Sequence, residues 1–316
     1  MKYDVVALGE LLIDFASRSV DEKGYPTMAA FPGGAPANFL AALTKYGYKT
    51  GFLGKVGQDT FGNLLLGTVQ EAGIESKGIV VDDSVFTTLA FVTFDSTGDR
   101  SFSFARKPGA DTQLTWEEVD KEMIDQAKVF HFGTLSLTDE PVRTTTQKCV
   151  AYAKEQGKLI TCDPNLRKPL WKNLEEAREQ ILWSLTQADV VKISDDEVEF
   201  LWNCSPEEGA DKLLKDHGVS LAMVTLGPKG CLLKTANACC QVSSPKVHPV
   251  DTTGAGDIFG GSAVSRLLEL NKPVEQLTEE DLKFIGSFAA TAASLSTEKP
   301  GGIPSIPEKE TVLSRI

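Results

Sequence analysis

Short apolar runs alternate with helical patterns along most of this chain, and this alternation restricts its fold more than any other feature. The runs are typical of buried strands and lie at Val5–Leu8, Val129–Phe132, Lys158–Cys162, Val190–Ile193 and Leu221–Leu226. Most of them are nearly continuous apolar stretches, as expected for strands that are buried on both faces of a parallel sheet. The alternation therefore predicts an α/β fold, in which right-handed crossovers place helices on both faces of a mostly parallel sheet.

Helical patterns fill the intervals between these runs, and two more follow near the carboxyl end. We expect helices at Ala37–Tyr46, Thr60–Ala72, Thr115–Ala127, Pro141–Glu155, Leu174–Thr186, Glu207–Lys215, Asp257–Leu270 and Leu282–Leu295.

Two insertions interrupt the alternation. Thr88–Asp95 and Arg100–Lys107 show period-two patterning and are joined by Ser-Thr-Gly-Asp, which predicts a hairpin. A second β-like segment, Asp14–Phe31, follows the first strand. We expect insertions at about residues 14–34 and 86–108 to form a small β-sheet lid within a single domain of residues 1–316.

The composition argues against several classes of function. The 316 residues have a formal net charge of −12 and no basic run, which disfavours nucleic-acid binding. No apolar stretch approaches the ~20 residues that span a bilayer, and MKYDVVALGE lacks the pattern of a signal peptide. Six cysteines without a C-x-x-C motif indicate reduced thiols rather than a zinc site. We therefore expect a cytoplasmic protein without a membrane partner.

The stretch His248 to Val264, HPVDTTGAGDIFGGSAV, has three competing interpretations. Gly254, Ala255 and Gly256 lead into a helix, whose amino terminus attracts anions. A dinucleotide loop would follow the first strand of a βαβ unit, whereas this motif lies near the end of the chain. A structural helix start would use Asp257 only as a favourable first-turn acid. In a phosphoryl-transfer site, backbone N–H groups stabilise the transferring group while Asp257 takes a proton from the attacking hydroxyl.

A second glycine motif, FPGGAPAN at Phe31–Asn38, lies near the amino terminus. Gly33 and Gly34 can offer backbone to a ligand, and the amide of Asn38 can both donate and accept. Taken alone, the segment is equally well explained as a turn followed by a helix start. The chain has no G-x-x-x-x-G-K-[ST] motif, so it is not a P-loop enzyme.

Gly-Gly-x-x-x-Asn near the start and Asp-Thr-x-Gly-Ala-Gly-Asp near the end resemble the paired signatures of the ribokinase-like (PfkB) carbohydrate kinases. The resemblance runs from about residue 4 to about residue 307. It implies a central, mostly parallel sheet flanked by helices, with a small inserted β-sheet lid over the sugar. Four further segments are similar to the fructokinases of that family: GELLIDF (Gly9–Phe15), GKVGQDTFG (Gly54–Gly62), DPNLRKPLW (Asp163–Trp171) and KISDDEVEFL (Lys192–Leu201).

The resemblance also implies a role for each matching position on the sugar side. Asp257 matches the catalytic base, and the N–H groups of Gly254, Ala255, Gly256 and Asp257 itself match the anion hole. Without the resemblance, Asp14 is a strand-end turn residue and Arg106 forms an exposed salt bridge of the lid. With it, the sugar contacts are Asp14, Gly33, Gly34, Asn38, Arg106 and Arg167.

On the nucleotide side, the resemblance implies that ATP and Mg²⁺ bind. Glu197 would order Mg²⁺ through water, because this ion keeps several waters and relies on substrate phosphates. Asp251 and Thr253 match positions where relatives bind K⁺, and this sequence is compatible with that ion. Ser194 replaces the asparagine of many relatives. The helix Leu282–Leu295 and the loop 301–303 are expected beside the adenine. The implied nucleotide contacts are Asn165, Lys192, Ser194, Thr225, Gly227 and Gly230.

The expected reaction is ATP-dependent phosphorylation of D-fructose at its 6-hydroxyl. One alternative substrate, 2-keto-3-deoxygluconate, carries a carboxylate with which Arg106 and Arg167 could pair. Relatives of that type favour tyrosines in the lid strand, where this chain has Phe102 and Phe104, so fructose is preferred. A non-catalytic sugar-binding protein is a further alternative, against which the intact Asp257 argues. Lid sheets in this family often pair, so a homodimer through the lid stays open.

Overall fold

The computed structural model describes residues 2–94 and 100–316. Its strands are β1 (Val5–Leu8), β2 (Leu12–Val20), β3 (Pro26–Gly33), β4 (Thr50–Gly57), β5 (Glu75–Asp82), β6 (Leu89–Phe94), β7 (Arg100–Ala105), β8 (Val129–Gly133), β9 (Leu159–Asp163), β10 (Val190–Ser194), β11 (Leu221–Thr225), β12 (Cys231–Lys234) and β13 (Cys239–Val242).

The helices alternate with these strands along the chain. They are α1 (Ala35–Lys45), α2 (Thr60–Glu71), α3 (Lys121–Asp125), α4 (Val142–Glu155), α5 (Leu174–Gln187), α6 (Asp195–Trp202), α7 (Pro206–His217), α8 (Ala255–Leu270), α9 (Glu279–Ser296) and α10 (Lys309–Leu313). Within the described residues, no helix is long and apolar enough to cross a membrane.

The main sheet has the strand order β13-β12-β11-β10-β9-β8-β1-β4-β5. All neighbouring pairs from β11 to β5 are parallel, whereas β12 pairs antiparallel with both β11 and β13. Alternate residues of β1 enter different apolar clusters: Val6 packs with Val150 of α4, and Val5 packs with Leu40 of α1. Helices therefore cover both faces, which confirms the predicted α/β class and explains the continuous apolar runs.

The sequence analysis missed four strands of this sheet and the helix α6. β4 carries three glycines and a lysine, so it shows no continuous apolar run even though the whole strand is buried. Buried Lys55 of β4 is neutralised by Asp82 at 3.2 Å and Glu118 at 2.7 Å. β5 begins with polar residues, and β12 and β13 are only four residues long. The first turn of α6 holds three acidic residues, which hid its periodicity.

The predicted helix Thr115–Ala127 is wrong over most of its length. Thr115 and Glu118 form a capping box around a single 3₁₀ turn, and Val119 is extended. The chain becomes helical again only over α3, Lys121–Asp125. The capping box stabilises the first of two short turns, which replace one continuous helix.

A separate four-stranded sheet has the order β3-β2-β6-β7. β2 pairs antiparallel with β3 and parallel with β6, and β6 pairs antiparallel with β7. The two predicted insertions thus meet in one sheet. The expected Ser-Thr-Gly-Asp turn at residues 96–99 lies outside the described residues, and the assignment of one domain over 1–316 stays a prediction.

Both ends of the second lid insertion are tied to the main body. The Asp59 carboxylate caps α2 and accepts the N–H of Thr87 at 2.8 Å, just before β6. Arg106, just after β7, pairs with Asp111 at 2.7 Å and donates to the carbonyl oxygen of Leu135 at 2.9 Å. These buried contacts fix where the lid strands leave and re-enter the body.

A close crossing of α1 and α8 positions the two glycine motifs. A Cβ on Gly261 would overlap the carbonyl oxygen of Phe39, and one on Gly260 would lie 3.3 Å from the Phe39 ring. The second glycine pair of the stretch HPVDTTGAGDIFGGSAV therefore lets two helix backbones touch. As a result, Asn38 of α1 lies beside Asp257 of α8.

This crossing generates a stability prediction. Gly261→Ala and Gly260→Ala gain the same helix propensity, but only the first forces backbone atoms apart. We expect Gly261→Ala to lower the free energy of unfolding by about 2 kcal/mol relative to Gly260→Ala, the cost of overpacking a tight contact. Urea denaturation of both variants measures the difference, and equal stabilities would contradict it.

Candidate functional site

Two cavities meet at the turn that begins α8. The lid-side cavity, of about 240 Å³, lies between the lid and the carboxyl ends of the main strands. The α9-side cavity, of about 720 Å³, lies between β11 and α9. Thr252 lines both; Gly254 and Asp257 line the first, whereas Ala255 and Gly256 line the second. The turn therefore stands between two spaces, with its acid facing the lid.

Asp257 lies in the first turn of α8 and is 9% exposed. Its Oδ2 accepts a hydrogen bond of 2.9 Å from Nδ2 of Asn38. Burial raises the pKa of the Asp257 carboxyl above its usual range, while the Asn38 hydrogen bond and the Lys192 charge oppose that rise. A carboxylate whose proton affinity is raised in this way is better suited to accept a proton than an exposed aspartate.

The glycines of the turn admit polar side chains to its underside. Gly254 has φ 76°, and a Cβ there would lie 3.1 Å from Nδ2 of Asn38. A Cβ on Gly256 would lie 2.9 Å from Nζ of Lys192. The backbone N–H groups at the start of α8 therefore lie next to a lysine ammonium, and both favour an anion at this point.

Lys192 is held in place by a buried ion pair. Its Nζ lies 2.9 and 3.1 Å from the two carboxylate oxygens of Asp163. Burial opposes the charge of Lys192, but the carboxylates of Asp163 and Glu197 raise its pKa, so the ammonium persists. Burial raises the pKa of Asp163 to about 6, against the attraction of Lys192. Asp163 thus fixes the position of the Lys192 ammonium beneath the turn.

The predicted sugar contacts divide into two groups. Asp14, Gly34, Asn38 and Arg167 line the lid-side cavity. Gly33 does not line it; a Cβ there would overlap the Asp14 carboxylate, so this glycine makes room for Asp14. Burial raises the pKa of Asp14 to about 6, although Arg167 lowers it.

Arg106 is the second exception, since it does not line the cavity. Its side chain is 2% exposed, so the alternative of an exposed salt bridge is wrong. Its guanidinium donates four hydrogen bonds and forms an ion pair with Asp111. Nε and Nη2 contact Asp111, Nη2 also donates to the Leu135 carbonyl, and Nη1 faces Thr138 and Asp139. In this structure Arg106 anchors β7, and its role as a sugar contact stays a prediction.

The predicted nucleotide contacts are divided between the two cavities, and Lys192 and Ser194 line neither. Thr225, Gly227 and Gly230 line the α9-side cavity. Asn165, in the left-handed region at φ 48°, lines the lid-side cavity instead. Ser194 caps α6, and its hydroxyl donates to Oε2 of Glu197 at 3.0 Å. Its predicted phosphate contact would compete with this cap.

Few side chains are available to hold a metal directly. Among the described residues, no group of three or more His, Cys, Asp or Glu could hold one. Glu197 is 7% exposed and accepts N–H groups from Leu166 at 2.7 Å and Ser194 at 2.8 Å. Asp251 accepts from Thr253 Oγ1 at 2.6 Å and from the Gly301 N–H at 3.0 Å. These carboxylates fit an ion held mainly by water, backbone oxygens and phosphate.

Sequence reasoning missed several residues of both cavities. Glu10, two residues after β1 in the GELLIDF segment, is buried in the lid-side cavity. Phe104 lines the same cavity as expected, whereas the Phe102 side chain lies outside the described residues. Of the elements expected beside the adenine, α9 lines the α9-side cavity, but Gly301 lines the lid-side cavity. Further residues of the α9-side cavity are Lys246, His248, Phe259, Ala290 and Ser294.

The chain is similar to known proteins over nearly its whole length. The family described as pfkB family carbohydrate kinase matches residues 2–309. A relative from Zea mays, fructokinase-1, is 41% identical over 315 residues, which cover 99% of this chain and 97% of that protein.

Two solved structures are similar over almost the whole chain. The fructokinase of Xylella fastidiosa with bound ATP has a TM-score of 0.89 at 29% identity, covering 100% of this chain and 98% of that one. A fructokinase double mutant from Vibrio cholerae O395, in a form with fructose, ADP and potassium ion, has a TM-score of 0.88 at 29% identity, covering 99% and 98%.

The contact between Asn38 and Asp257 generates a prediction about proton affinity. Because the Asn38 hydrogen bond lowers the pKa of the Asp257 carboxyl, we expect Asn38→Ala to raise that pKa further. A titration of carboxyl ¹³C signals by nuclear magnetic resonance measures the change. Asn165→Ala is the control, since Asn165 lines the same cavity without bonding Asp257. An unchanged or lower pKa in Asn38→Ala would contradict the interpretation.

Proposed function

The chain belongs to the pfkB family of carbohydrate kinases, and from this premise we propose that it transfers the terminal phosphoryl group of ATP to the 6-hydroxyl of D-fructose. The products are fructose 6-phosphate and ADP. The related protein from Zea mays and both similar structures are named fructokinases. The charge of the lid-side cavity is the observation from this chain that carries the choice of sugar.

Carboxyl groups dominate that cavity. In the described part of the chain, its charged lining consists of Glu10, Asp14, Asp251 and Asp257 with one arginine, Arg167. Carboxylates accept hydrogen bonds from sugar hydroxyls, whereas a substrate carboxylate would be repelled. Arg106, which could have paired with such a carboxylate, is already neutralised by Asp111. The cavity therefore suits a neutral polyol better than 2-keto-3-deoxygluconate.

Phosphoryl transfer would proceed across the turn at the start of α8. Asp257 accepts the proton of the 6-hydroxyl as that oxygen bonds to the γ-phosphorus, and the bond from phosphorus to the leaving oxygen of ADP breaks. The backbone N–H groups from Gly254 to Asp257 and the ammonium of Lys192 stabilise the charge that develops on the transferring group. Asp257 thus contacts the nucleophile, whereas the backbone N–H groups contact the phosphate.

The remaining residues bind and orient the reactants. We propose that the α9-side cavity holds the nucleotide along Thr225, Gly227 and Gly230, and that Asn165 contacts the phosphates from the lid side. Mg²⁺, when bound, neutralises phosphate charge, and Glu197 would orient one of its waters. Asp251 and Thr253 are the proposed K⁺ contacts. A closed lid excludes water, which would otherwise hydrolyse ATP. A homodimer through the lid and a cytoplasmic location stay predictions.

Removal of the proposed base tests the mechanism. We expect Asp257→Asn to lower kcat by at least ~100-fold, the scale of lost general-base catalysis, while fructose affinity changes little. Steady-state kinetics and titration calorimetry measure the two quantities. Asp211→Asn, in α7 and outside both cavities, is the matched control for loss of one negative charge. A variant Asp257→Asn with nearly wild-type kcat would remove this residue from its role.

A substrate panel tests the choice of sugar. We expect kcat/KM for fructose to exceed that for 2-keto-3-deoxygluconate by at least ~10-fold, because the sugar acid brings a charge that the cavity does not neutralise. A coupled assay of ADP release measures both rates. The opposite ratio would identify a sugar-acid kinase. Binding of fructose without turnover would favour a non-catalytic sugar-binding protein.

A further inference from the structure

Glu10 is a buried carboxyl that takes no part in the proposed phosphoryl transfer and has no individual role among the cavity carboxyls. It lies two residues after β1, is 3% exposed and lines the lid-side cavity. Because the carboxyl ends of parallel strands meet at one edge of the sheet, this position is where an α/β protein binds its ligand.

The surroundings of Glu10 neutralise only part of its charge. Oε1 accepts the N–H of Ala35 at 2.9 Å, and the N–H of Glu10 itself also faces the carboxyl. The charged groups that face it are Arg106 and Asp111, and that arginine pairs with Asp111 and donates four hydrogen bonds, all to residues other than Glu10. Among the described residues, no lysine or arginine forms an ion pair with Glu10. Burial raises the pKa of Glu10 to about 7, which reflects the cost of leaving such a carboxyl without a cation.

The first turns of helix α1 hold both Glu10 and the proposed catalytic base, Asp257. Glu10 accepts from Ala35, and Asp257 accepts from Asn38, three residues later. Three helical residues span about 4.5 Å along the helix axis. The two carboxyls are therefore fixed to one rigid element and both face one cavity.

We propose that Glu10 is a sugar-specificity residue, whose carboxyl accepts a hydrogen bond from a fructose hydroxyl other than the one that is phosphorylated. The inference rests on the proposed function. It explains why a carboxyl that lacks a cation is retained in the cavity, since the sugar hydroxyl completes its hydrogen bonds. If Glu10 only held the Ala35 N–H, any neutral acceptor of the same shape would serve equally well.

The test combines protein variants with sugar analogues. Glu10→Ala removes the carboxyl, whereas Glu10→Gln retains an oxygen for the Ala35 N–H and removes the charge. Each is assayed at pH 8, where the wild-type carboxyl is ionised, with fructose and with its 1-deoxy, 3-deoxy and 4-deoxy analogues. Glu118→Gln is the matched control, because it neutralises a carboxyl that pairs with Lys55 outside the cavity. Thermal melting reports folding of each variant.

We expect Glu10→Ala to raise KM for fructose by at least ~10-fold and to change kcat by less than ~3-fold, as for a lost hydrogen bond to a charged group. One of the three analogues lacks the hydroxyl that binds Glu10, and for it the KM of wild type and that of Glu10→Ala should agree within ~2-fold. Glu10→Gln should raise KM for fructose by at least ~3-fold, while its KM for that analogue stays within ~2-fold of wild type. If Glu10→Ala misfolds, Glu10→Gln tests the proposal by itself. Glu118→Gln should leave KM within ~2-fold of wild type.

Two outcomes would overturn the inference alone: equal KM ratios for fructose and every analogue, or wild-type KM in Glu10→Gln. Both would mean that Glu10 only fixes the loop before α1. A wild-type protein without turnover on fructose would contradict the proposed function, and this inference with it.

Discussion

The hydrogen bond between Asn38 and Asp257 joins two segments that are 219 residues apart in sequence, and the site depends on it. It forms because α1 and α8 cross where Gly261 meets the carbonyl oxygen of Phe39. The GGAPAN segment leads into α1, and the anion-attracting turn Gly254–Gly256 leads into α8. One packing contact thus sets the place and the proton affinity of the proposed base.

Charge is distributed around that contact in two opposite ways. Beneath the turn, Lys192 is fixed by Asp163 and favours an anion. On the lid side, four carboxyls and Arg167 favour hydroxyl groups over a second anion. The turn separates these environments, so phosphate and sugar have distinct places on either side of the transferring group. Burial raises the pKa of Asp14 to about 6 and that of Glu10 to about 7. The negative charge of the cavity therefore decreases as the pH falls from neutral to weakly acidic.

Much of the fold and part of the site could be predicted from sequence. Central strands such as β1 are buried on both faces, and that burial produces the apolar runs that reveal them. β4 was missed because three glycines and a paired lysine interrupt its apolar residues and remove the periodic signal. At the site, motif positions identified several of the lining residues but not their contacts. Gly33 makes room for Asp14 and Arg106 pairs with Asp111, and such long-range contacts are not encoded in local spacing.

The central claim is that Asp257 contacts the attacking hydroxyl while the backbone of the turn contacts the phosphate. A crystal structure with fructose and a non-hydrolysable ATP analogue would test it most directly. The account predicts that the 6-hydroxyl lies ~2.6–3.2 Å from a carboxylate oxygen of Asp257, in line with the γ-phosphorus. A complex in which another sugar oxygen occupies that position, or in which Asp257 contacts no hydroxyl, would contradict the account.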